Sequence, residues 1–351
     1  MTNSAEKSVS NNFLSRQARL NQALQSANLS ALALNPGASL TYLTGLHFHL
    51  SERPVIALFS PGQPVHIILP ELEQAKLLDL TYPTKAYPYG EDPQHWPASF
   101  RAALVAAGIE SSPIGVEPRQ LRLLEFRLLT QAAPEADYLS AEEVLSSLRM
   151  IKDASEIMAM RKAAQIAQQA LQATLPVIRF SISERDLASE LTLQLLRAGS
   201  DSDIPFAPIV SAGPNSANPH ASPSDRLLQP GDLLVLDFGA GHQGYISDIT
   251  RTFALGDIGP EYAQIARLVL EANTASRELA RPGLSAHEVD QAARAVITAG
   301  GYGPYFTHRT GHGLGLESHE EPYIRQGNPL ILQPGMTFTI EPGIYLPQRN
   351  G

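Results

Sequence analysis

The sequence predicts an α+β protein of two domains, a smaller N-terminal α/β domain over residues 1–145 and a larger C-terminal α+β domain over residues 146–351. The first observation is the length of 351 residues, at which two domains are expected more often than one. In the first part, short apolar runs alternate with helical patterns, as in an α/β domain. The second part has the order helix, helix, strands twice over, which predicts two related halves whose helices cover one face of a sheet.

The elements of the N-terminal domain follow from its apolar spacing. Apolar residues at helical intervals predict a first helix over residues 13–27. Four apolar runs predict buried strands at residues 31–34, 55–60, 65–69 and 114–117. Between the third and fourth runs lie helical patterns near residues 72–80 and 97–107. This alternation predicts a domain that ends near Ser140.

In the C-terminal domain, helix starts are marked by capping residues. Three helices follow a capping residue that has an acidic residue three positions later: Asp153 with Glu156, Ser183 with Asp186, and Ser285 with Glu288. A further helix is predicted over residues 261–280. Residues 204–210 predict a strand at a sheet edge because they contain two prolines. Residues 336–340 predict a last strand, which runs into Glu341.

The central feature of this domain is a predicted hairpin that carries two aspartates, Asp237 and Asp248, among apolar residues. If His242 and Gln243 form its turn, Asp237 lies directly opposite Asp248. Opposed residues of two strands have Cβ atoms about 4.5–5.5 Å apart. Two negative charges that close in a half-buried sheet are destabilising unless a shared proton or a bound cation neutralises them. The hairpin therefore suggests a metal site.

Composition limits the classes of partner and ligand. The net charge of −9 and the pI near 5.6 argue against nucleic acid or an anionic membrane as a partner. The chain has no cysteine, so carboxylate and imidazole side chains must hold any metal. The polar N-terminus lacks the apolar core of a signal peptide, and no run of about eighteen apolar residues follows. A cytoplasmic protein is expected.

Histidines and a glutamate follow the hairpin in the same domain. His308, His312 and His319 lie within one glycine-rich segment, and Glu341 ends the last predicted strand. A further histidine, His220, precedes the hairpin. Carboxylates with one neutral imidazole suit Mn²⁺, Co²⁺ or Zn²⁺. Two such ions about 3.5–4 Å apart can share a hydroxide, polarise a carbonyl and orient a substrate, as in aminopeptidases.

Simpler interpretations apply to each residue taken alone. A single aspartate in a strand is usually an edge or turn residue, and a single histidine usually lies on the surface or in a hydrogen-bonded core. That interpretation is kept for the remaining histidines, His47, His49, His66, His95, His242 and His287. The segment 311–315 could be a flexible loop, but it lacks the lysine and Ser/Thr of a phosphate-binding loop. What favours a metal site is that the aspartate pair, the histidines and the glutamate occur together in one domain.

These residues resemble a known family, the pita-bread metallopeptidases, which include Xaa-Pro aminopeptidases, Xaa-Pro dipeptidases (prolidases) and methionine aminopeptidases. The resemblance rests on four segments of the C-terminal domain: LDFGA from Leu236, SDITRTF from Ser247, GHGLGLESHE from Gly311, and TIEPGIY from Thr339. Residues 40–45 are similar to the smaller creatinase/prolidase-type N-terminal domain, and residues 148–157 to the junction between the domains. Methionine aminopeptidases generally lack that N-terminal domain, so the proline-directed members fit better.

The resemblance assigns roles to matching residues. Asp237 would chelate one metal, Asp248 would bridge two, and His312 with Glu341 would bind the second. His220, His308 and His319 resemble the family's outer histidines, which hold substrate or the tetrahedral intermediate and move protons. Glu341 would also take part in proton transfer. Creatinase has the same fold without these ligands, so their presence argues against creatine hydrolysis.

The resemblance implies a binuclear exopeptidase that hydrolyses Xaa-Pro bonds by metal-activated hydroxide. It implies two divalent ions, with Mn²⁺ expected before Co²⁺ or Zn²⁺, a small peptide substrate with proline at the second position, and a homodimer. The family's fifth ligand is a second bridging glutamate that follows a segment like residues 345–351. Because the sequence ends at Gly351, the C-terminal domain is expected to lack this glutamate and its last strands. The alternative is a truncated, inactive or non-catalytic pita-bread protein that acts as a binding module.

Overall fold

The structure is a computed structural model that describes residues 2–351, with side chains from residue 12 onward. The chain forms two compact units, Met1–Arg149 and Met150–Gly351. Across the described residues, no helix is both long enough and apolar enough to cross a membrane.

The first unit is built around a six-stranded mixed sheet. Its strands are β1 (Ala31–Leu34), β2 (Ile56–Phe59), β3 (Val65–Pro70), β4 (Thr84–Tyr89), β5 (Ile114–Val116) and β6 (Tyr138–Ser140). They lie in the order β4-β3-β2-β1-β5-β6, in which β1–β2 and β2–β3 are antiparallel and the other pairs are parallel. Its helices are α1 (Thr2–Ser26), α2 (Ala38–Thr44), α3 (Trp96–Ala107), α4 (Leu123–Ala132) and α5 (Glu142–Arg149).

Burial explains why the apolar runs of this unit form strands. All residues of β1, β2 and β3 are buried, and Ile56, Leu58 and Ile114 pack against Phe100 of α3 and Leu129 of α4. The four predicted strands are confirmed. The helix predicted near residues 72–80 is instead a short 3₁₀ segment, Glu71–Leu77, none of whose residues is buried. Without a buried face, that segment lacks the packing that stabilises a regular helix.

The second unit has two pairs of helices, as its sequence predicts. They are α6 (Ala154–Thr174), α7 (Glu184–Arg197), α8 (Gly259–Leu279) and α9 (Ala286–Ala299). Asp153 and Ser285 each form a full capping box with the acidic residue three positions later, and Ser183 accepts a hydrogen bond from the Asp186 amide. The predicted caps are therefore confirmed.

Strands lie beside each helix pair. They are β7 (Ile209–Ala212), β8 (Leu233–Phe238), β9 (Gly241–His242), β10 (Tyr245–Ile246), β11 (Ile249–Ala254), β12 (Gly311–Gly313) and β13 (Glu320–Ile324). β11, β8 and β7 form an antiparallel sheet in that order, and β12 pairs with β13. Leu234, Leu236 and Phe238 of β8 pack into the core with Leu187 and Leu191 of α7. Because side chains alternate along a strand, Asp237 lies on the opposite face of the sheet.

Two predicted strands of this unit differ in the structure. The strand predicted at residues 204–210 begins only at Ile209, because Pro205 and Pro208 have no N–H to donate to a ladder. β7 does lie at a sheet edge, as predicted. Residues 336–340 form no regular strand, since their bridges go to separate partners, Ile151 with Met336 and Gly313 with Phe338.

The register of the hairpin also differs from the prediction. His242 pairs with Tyr245, so the turn residues are Gln243 and Gly244, which have φ angles of 54° and 78°. A type I′ turn needs positive φ at both central residues, and glycine adopts it readily. As a result, Asp237 lies opposite Thr250, and the prediction that it lies directly opposite Asp248 is wrong. Asp248, two positions before Thr250, becomes the diagonal neighbour of Asp237.

Candidate metal centre

The corrected register still brings Asp237 and Asp248 together. Their carboxyl groups share a hydrogen bond, and the Thr250 hydroxyl also bonds to Asp237. Burial and the charge of Glu341 raise the pKa of Asp237 to about 6. Burial and the charge of Asp237 raise the pKa of Asp248 to about 7. At acidic pH, a bound proton thus relieves the repulsion between the two carboxylates. A cation can take the place of that proton.

His312 and Glu341 lie on the other side of Asp248. The Nε2 atom of His312 is 3.0 Å from Oε1 of Glu341 and 3.6 Å from Oδ2 of Asp248. Burial opposes both charges, but their hydrogen bond raises the pKa of His312 and lowers that of Glu341. The Nδ1 atom of His312 donates to the Gly313 carbonyl at 3.1 Å, because that oxygen can only accept. In the neutral imidazole, the lone pair is then on Nε2, which faces the carboxylates of Glu341 and Asp248.

Close packing of the backbone fixes the positions of these two ligand candidates. The Thr339 amide donates to the His312 carbonyl, and the Glu341 amide donates to the Thr310 carbonyl, both at 2.8 Å. A Cβ atom on Gly311 would collide with the Thr339 carbonyl, and one on Gly313 would collide with backbone atoms of the neighbouring strand. The glycines on both sides of His312 therefore allow the two segments to approach each other closely.

The three outer histidines lie around this group. The His319 ring centroid is 4.0 Å from that of His312, and His308 Nε2 is 3.0 Å from the Tyr345 hydroxyl. Burial lowers the pKa of His308, and burial followed by the charge of His312 lowers that of His319 to about 4. His220 is exposed and lies within electrostatic range of both of these imidazoles. The structure thus places all seven predicted residues in one region of the second unit.

The donor set fits divalent metal ions. Asp237 Oδ1 is buried and has no hydrogen-bond partner among the described residues, so one ligand oxygen is available. Three carboxylates and one imidazole give the mixed oxygen and nitrogen set that suits Mn²⁺, Co²⁺ or Zn²⁺. Within residues 12–351, no three His, Asp or Glu side chains are already arranged to hold an ion. Because Nδ1 of His312 donates to the Gly313 carbonyl, its Nε2 donates to Glu341 only when the imidazole is protonated, so metal binding at Nε2 requires loss of that proton.

The raised pKa values of Asp237 and Asp248 predict how stability depends on pH in the metal-free protein. The folded chain binds more protons than the unfolded chain between about pH 4 and pH 7, so these groups cost stability as pH rises through that window. Asp248→Asn removes one charge, and its melting temperature relative to wild type should increase by about 5 °C from pH 5 to pH 8. Thermal unfolding in chelator measures this difference. A difference that stays constant with pH would show that the pair does not titrate there.

Some residues of this site are missing from the sequence-based prediction. The Tyr345 hydroxyl bonds to His308, and the Thr339 hydroxyl donates to Glu341 at 2.8 Å. Both belong to the segment TIEPGIY, so their proximity to Glu341 in the sequence was the available signal. His66, one of the histidines set aside, is buried in the first unit and bonds to the Tyr87 hydroxyl.

The fold and this group of acids and imidazoles define a pita-bread metallopeptidase. Residues 158–351 match the metallopeptidase family M24, and residues 16–151 match the creatinase/prolidase N-terminal domain. The chain belongs to metallopeptidase family M24, which confirms the resemblance and the predicted fold class. Dependence on divalent metal is general to this family.

Individual relatives agree along nearly the whole chain. An Xaa-Pro dipeptidase of Lactobacillus helveticus is 34% identical over 95% of this chain and 90% of its own. The crystal structure of a dipeptidase from Pyrococcus horikoshii has a TM-score of 0.89 at 37% identity, over 95% of this chain and 92% of that one. A prolidase from Thermococcus sibiricus has a TM-score of 0.90 at 32% identity, over 95% and 90%.

Proposed function

We propose that this protein is a binuclear metal-dependent exopeptidase that hydrolyses Xaa-Pro bonds in small peptides with proline at the second position. The observation that carries the proposal is the buried pair of Asp237 and Asp248, whose pKa values are raised to about 6 and about 7. Such a pair is costly without a cation, and Asp237 Oδ1 has no partner among the described residues. The names of the relatives, Xaa-Pro dipeptidase and prolidase, support the substrate class.

The proposed ligands are Asp237 for one ion, Asp248 between two, and His312 with Glu341 for the other. When bound, the ions would supply a Lewis acid that polarises the scissile carbonyl and favours ionisation of water. Mn²⁺ is proposed as the native metal because three of these four ligands offer hard oxygen atoms. Co²⁺ and Zn²⁺ also suit the set.

The remaining steps of hydrolysis are proton transfer and the positioning of the substrate. Hydrolysis adds water oxygen to the carbonyl carbon before proline, breaks the C–N bond and delivers a proton to the proline nitrogen. When metal binds, the Glu341 carboxylate is freed from its hydrogen bond to His312 and can accept the proton of the attacking water. Burial lowers the pKa of His319, so its imidazole is neutral near pH 7; its Nδ1 accepts from Arg309, and its Nε2–H can donate to the developing oxyanion. His308 is also neutral, and because its one proton goes to the Arg309 carbonyl, its Nε2 accepts from the Tyr345 hydroxyl. His220 would hold substrate from the exposed side.

The proposal also covers the cellular location, oligomeric state and partners of the enzyme. A cytoplasmic homodimer is supported by the resemblance to proline-directed peptidases. A net charge of −9 argues against nucleic acid and anionic membranes as partners.

Metal content and turnover test the proposal together. The chelated protein is loaded with Mn²⁺, Co²⁺ or Zn²⁺, and bound metal is counted beside hydrolysis of an Xaa-Pro dipeptide and its Xaa-Ala counterpart. We expect two ions per chain and faster cleavage of the Xaa-Pro peptide. Bound metal with equal cleavage of both peptides would overturn the substrate class. A folded protein that binds no metal would overturn the proposal as a whole.

The alternative is a non-catalytic binding protein of the same fold. It is favoured by the absence, in residues 12–351, of three ligand side chains already arranged to hold an ion. The metal count separates the two functions, because a binding module needs no metal. Two tightly held ions per chain would exclude it.

A further inference from the structure

An ion pair on α9 between fully buried Asp290 and partly exposed Arg294 lies next to the segment that carries His308. Asp290 has no exposed surface, and Arg294, one helical turn later, donates to both of its carboxylate oxygens at 2.8 and 3.1 Å. An ion pair with a fully buried carboxylate gives little net stability, because desolvation of that carboxylate offsets much of the attraction. Its presence in place of apolar residues therefore needs another explanation.

The pair holds the chain on both sides of His308. Arg294 donates to the carbonyl of Phe306 at 3.2 Å and to that of His308 at 2.7 Å. Asp290 Oδ1 accepts from the backbone amide of Thr310 at 3.1 Å and from its hydroxyl at 2.8 Å. One ion pair thus makes four hydrogen bonds to a stretch of five residues, three of them through backbone atoms.

The same contacts reach the rest of the metal centre. The Thr310 carbonyl accepts the hydrogen bond of the Glu341 amide, so the held segment also sets the position of that carboxylate. The Arg294 guanidinium lies 4.3 Å from the Phe306 ring centroid, and that ring meets the His308 imidazole edge to face. His308 is therefore constrained through its own backbone and through its neighbouring ring.

We propose that Asp290 and Arg294 are positioning residues that fix the His308 imidazole relative to Glu341 through the backbone of residues 306–310. This inference rests on the proposed peptidase function. The planar guanidinium is essential to it, because its fork can serve a carboxylate and two carbonyls at once. A lysine keeps the charge but has a single ammonium group and cannot make the same set of bonds.

A double-mutant cycle between Arg294 and His308 tests the inference in the full-length, metal-loaded protein. Arg294→Lys should lower kcat on an Xaa-Pro dipeptide by about 10–100-fold, the usual cost of losing a group that orients a metal-site residue. KM should change by less than about threefold, because ground-state binding is not the step affected. In the His308→Ala background, the same substitution should lower kcat by a clearly smaller factor, since the part of its effect that passes through His308 is gone.

An activity-independent measurement uses the metal-free protein. The Nδ1 proton of His308 donates to the Arg309 carbonyl at 2.7 Å, and imidazole NMR reports its exchange with solvent. Arg294→Lys should accelerate this exchange. If Arg294→Lys does not fold, Thr310→Val removes only the hydroxyl bond to Asp290, and a smaller loss of kcat with the same dependence on His308 is expected.

Arg122→Lys is the matched control. Arg122, the residue that precedes α4, also pairs with a fully buried carboxylate, that of Glu125 on α4, and also donates to a carbonyl, that of Ser51. It lies in the first unit. Arg122→Lys should therefore change neither the exchange rate of the His308 Nδ1 proton nor kcat, with or without His308. Equal loss of kcat with and without His308, or unchanged proton exchange, would overturn the inference. If the wild type fails to cleave Xaa-Pro dipeptides, the proposed function fails instead, and the exchange measurement still decides the positioning role.

Discussion

Replacing Asp248 by alanine should abolish hydrolysis of Xaa-Pro peptides, with a loss of at least about 1,000-fold in kcat/KM, or about 4 kcal/mol of transition-state stabilisation. Asp248 is the only carboxylate that contacts both Asp237 and His312 among the described side chains. Its loss would remove the proposed bridge between the two ions. Steady-state kinetics in saturating Mn²⁺, with the bound metal counted, measures the effect.

The same variant has an opposite effect on the metal-free protein. At pH 8, above both raised pKa values, Asp237 and Asp248 are ionised and repel each other. Asp248→Ala should therefore unfold at a higher temperature than wild type in chelator, whereas added Mn²⁺ should stabilise only the wild type. Asp257→Ala, an exposed acid just after β11, is the control and should retain full turnover. Metal-dependent turnover by folded Asp248→Ala would contradict the proposed centre.

Local signals account for the parts of the fold that the sequence predicts correctly. The capping boxes at Asp153 and Ser285 involve residues three positions apart, and the strand at residues 31–34 is a continuous buried run. The hairpin register depended on which two residues of a four-residue segment form the turn. Residue types alone allowed two choices, and the backbone at Gln243 and Gly244 selects the one that shifts every pair by two positions.

The residues of the candidate site also fall into two groups, those with a local sequence signal and those without one. The aspartate pair, the histidine segment and Glu341 stand out in the sequence because they occur together in one domain, and the resemblance to pita-bread metallopeptidases assigns Asp237, Asp248, His312 and Glu341 as ligands. The residues that hold them have no such local signal. Asp290 meets Thr310 twenty positions later in the chain, and Arg294 recognises backbone carbonyls, which every sequence has. Contacts of that kind become visible only when the chain is folded.

Glu184 is another residue whose contacts have no local signal in the sequence. Of the substitutions proposed, its replacement should have the largest effect on stability. It has no exposed surface and accepts hydrogen bonds from the Ala212 amide at 2.7 Å, the Asn215 side chain at 2.9 Å, and the amide and hydroxyl of Ser224 at 3.0 and 2.6 Å. These donors lie at both ends of the loop that carries His220. A single buried carboxylate therefore closes this loop.

Glu184→Ala should lower the free energy of unfolding by about 3 kcal/mol, because several buried donors lose their acceptor. For a unit of this size the melting temperature should fall by about 6–12 °C. Glu184→Gln keeps one acceptor oxygen and should lose less. Glu190→Ala, on the same helix, removes only a bond from Gln194 and should stay within about 0.5 kcal/mol of wild type.

Because His220 lies on the loop, Glu184→Gln should also raise KM for Xaa-Pro dipeptides. A stable variant with unchanged KM would show that Glu184 does not hold the loop.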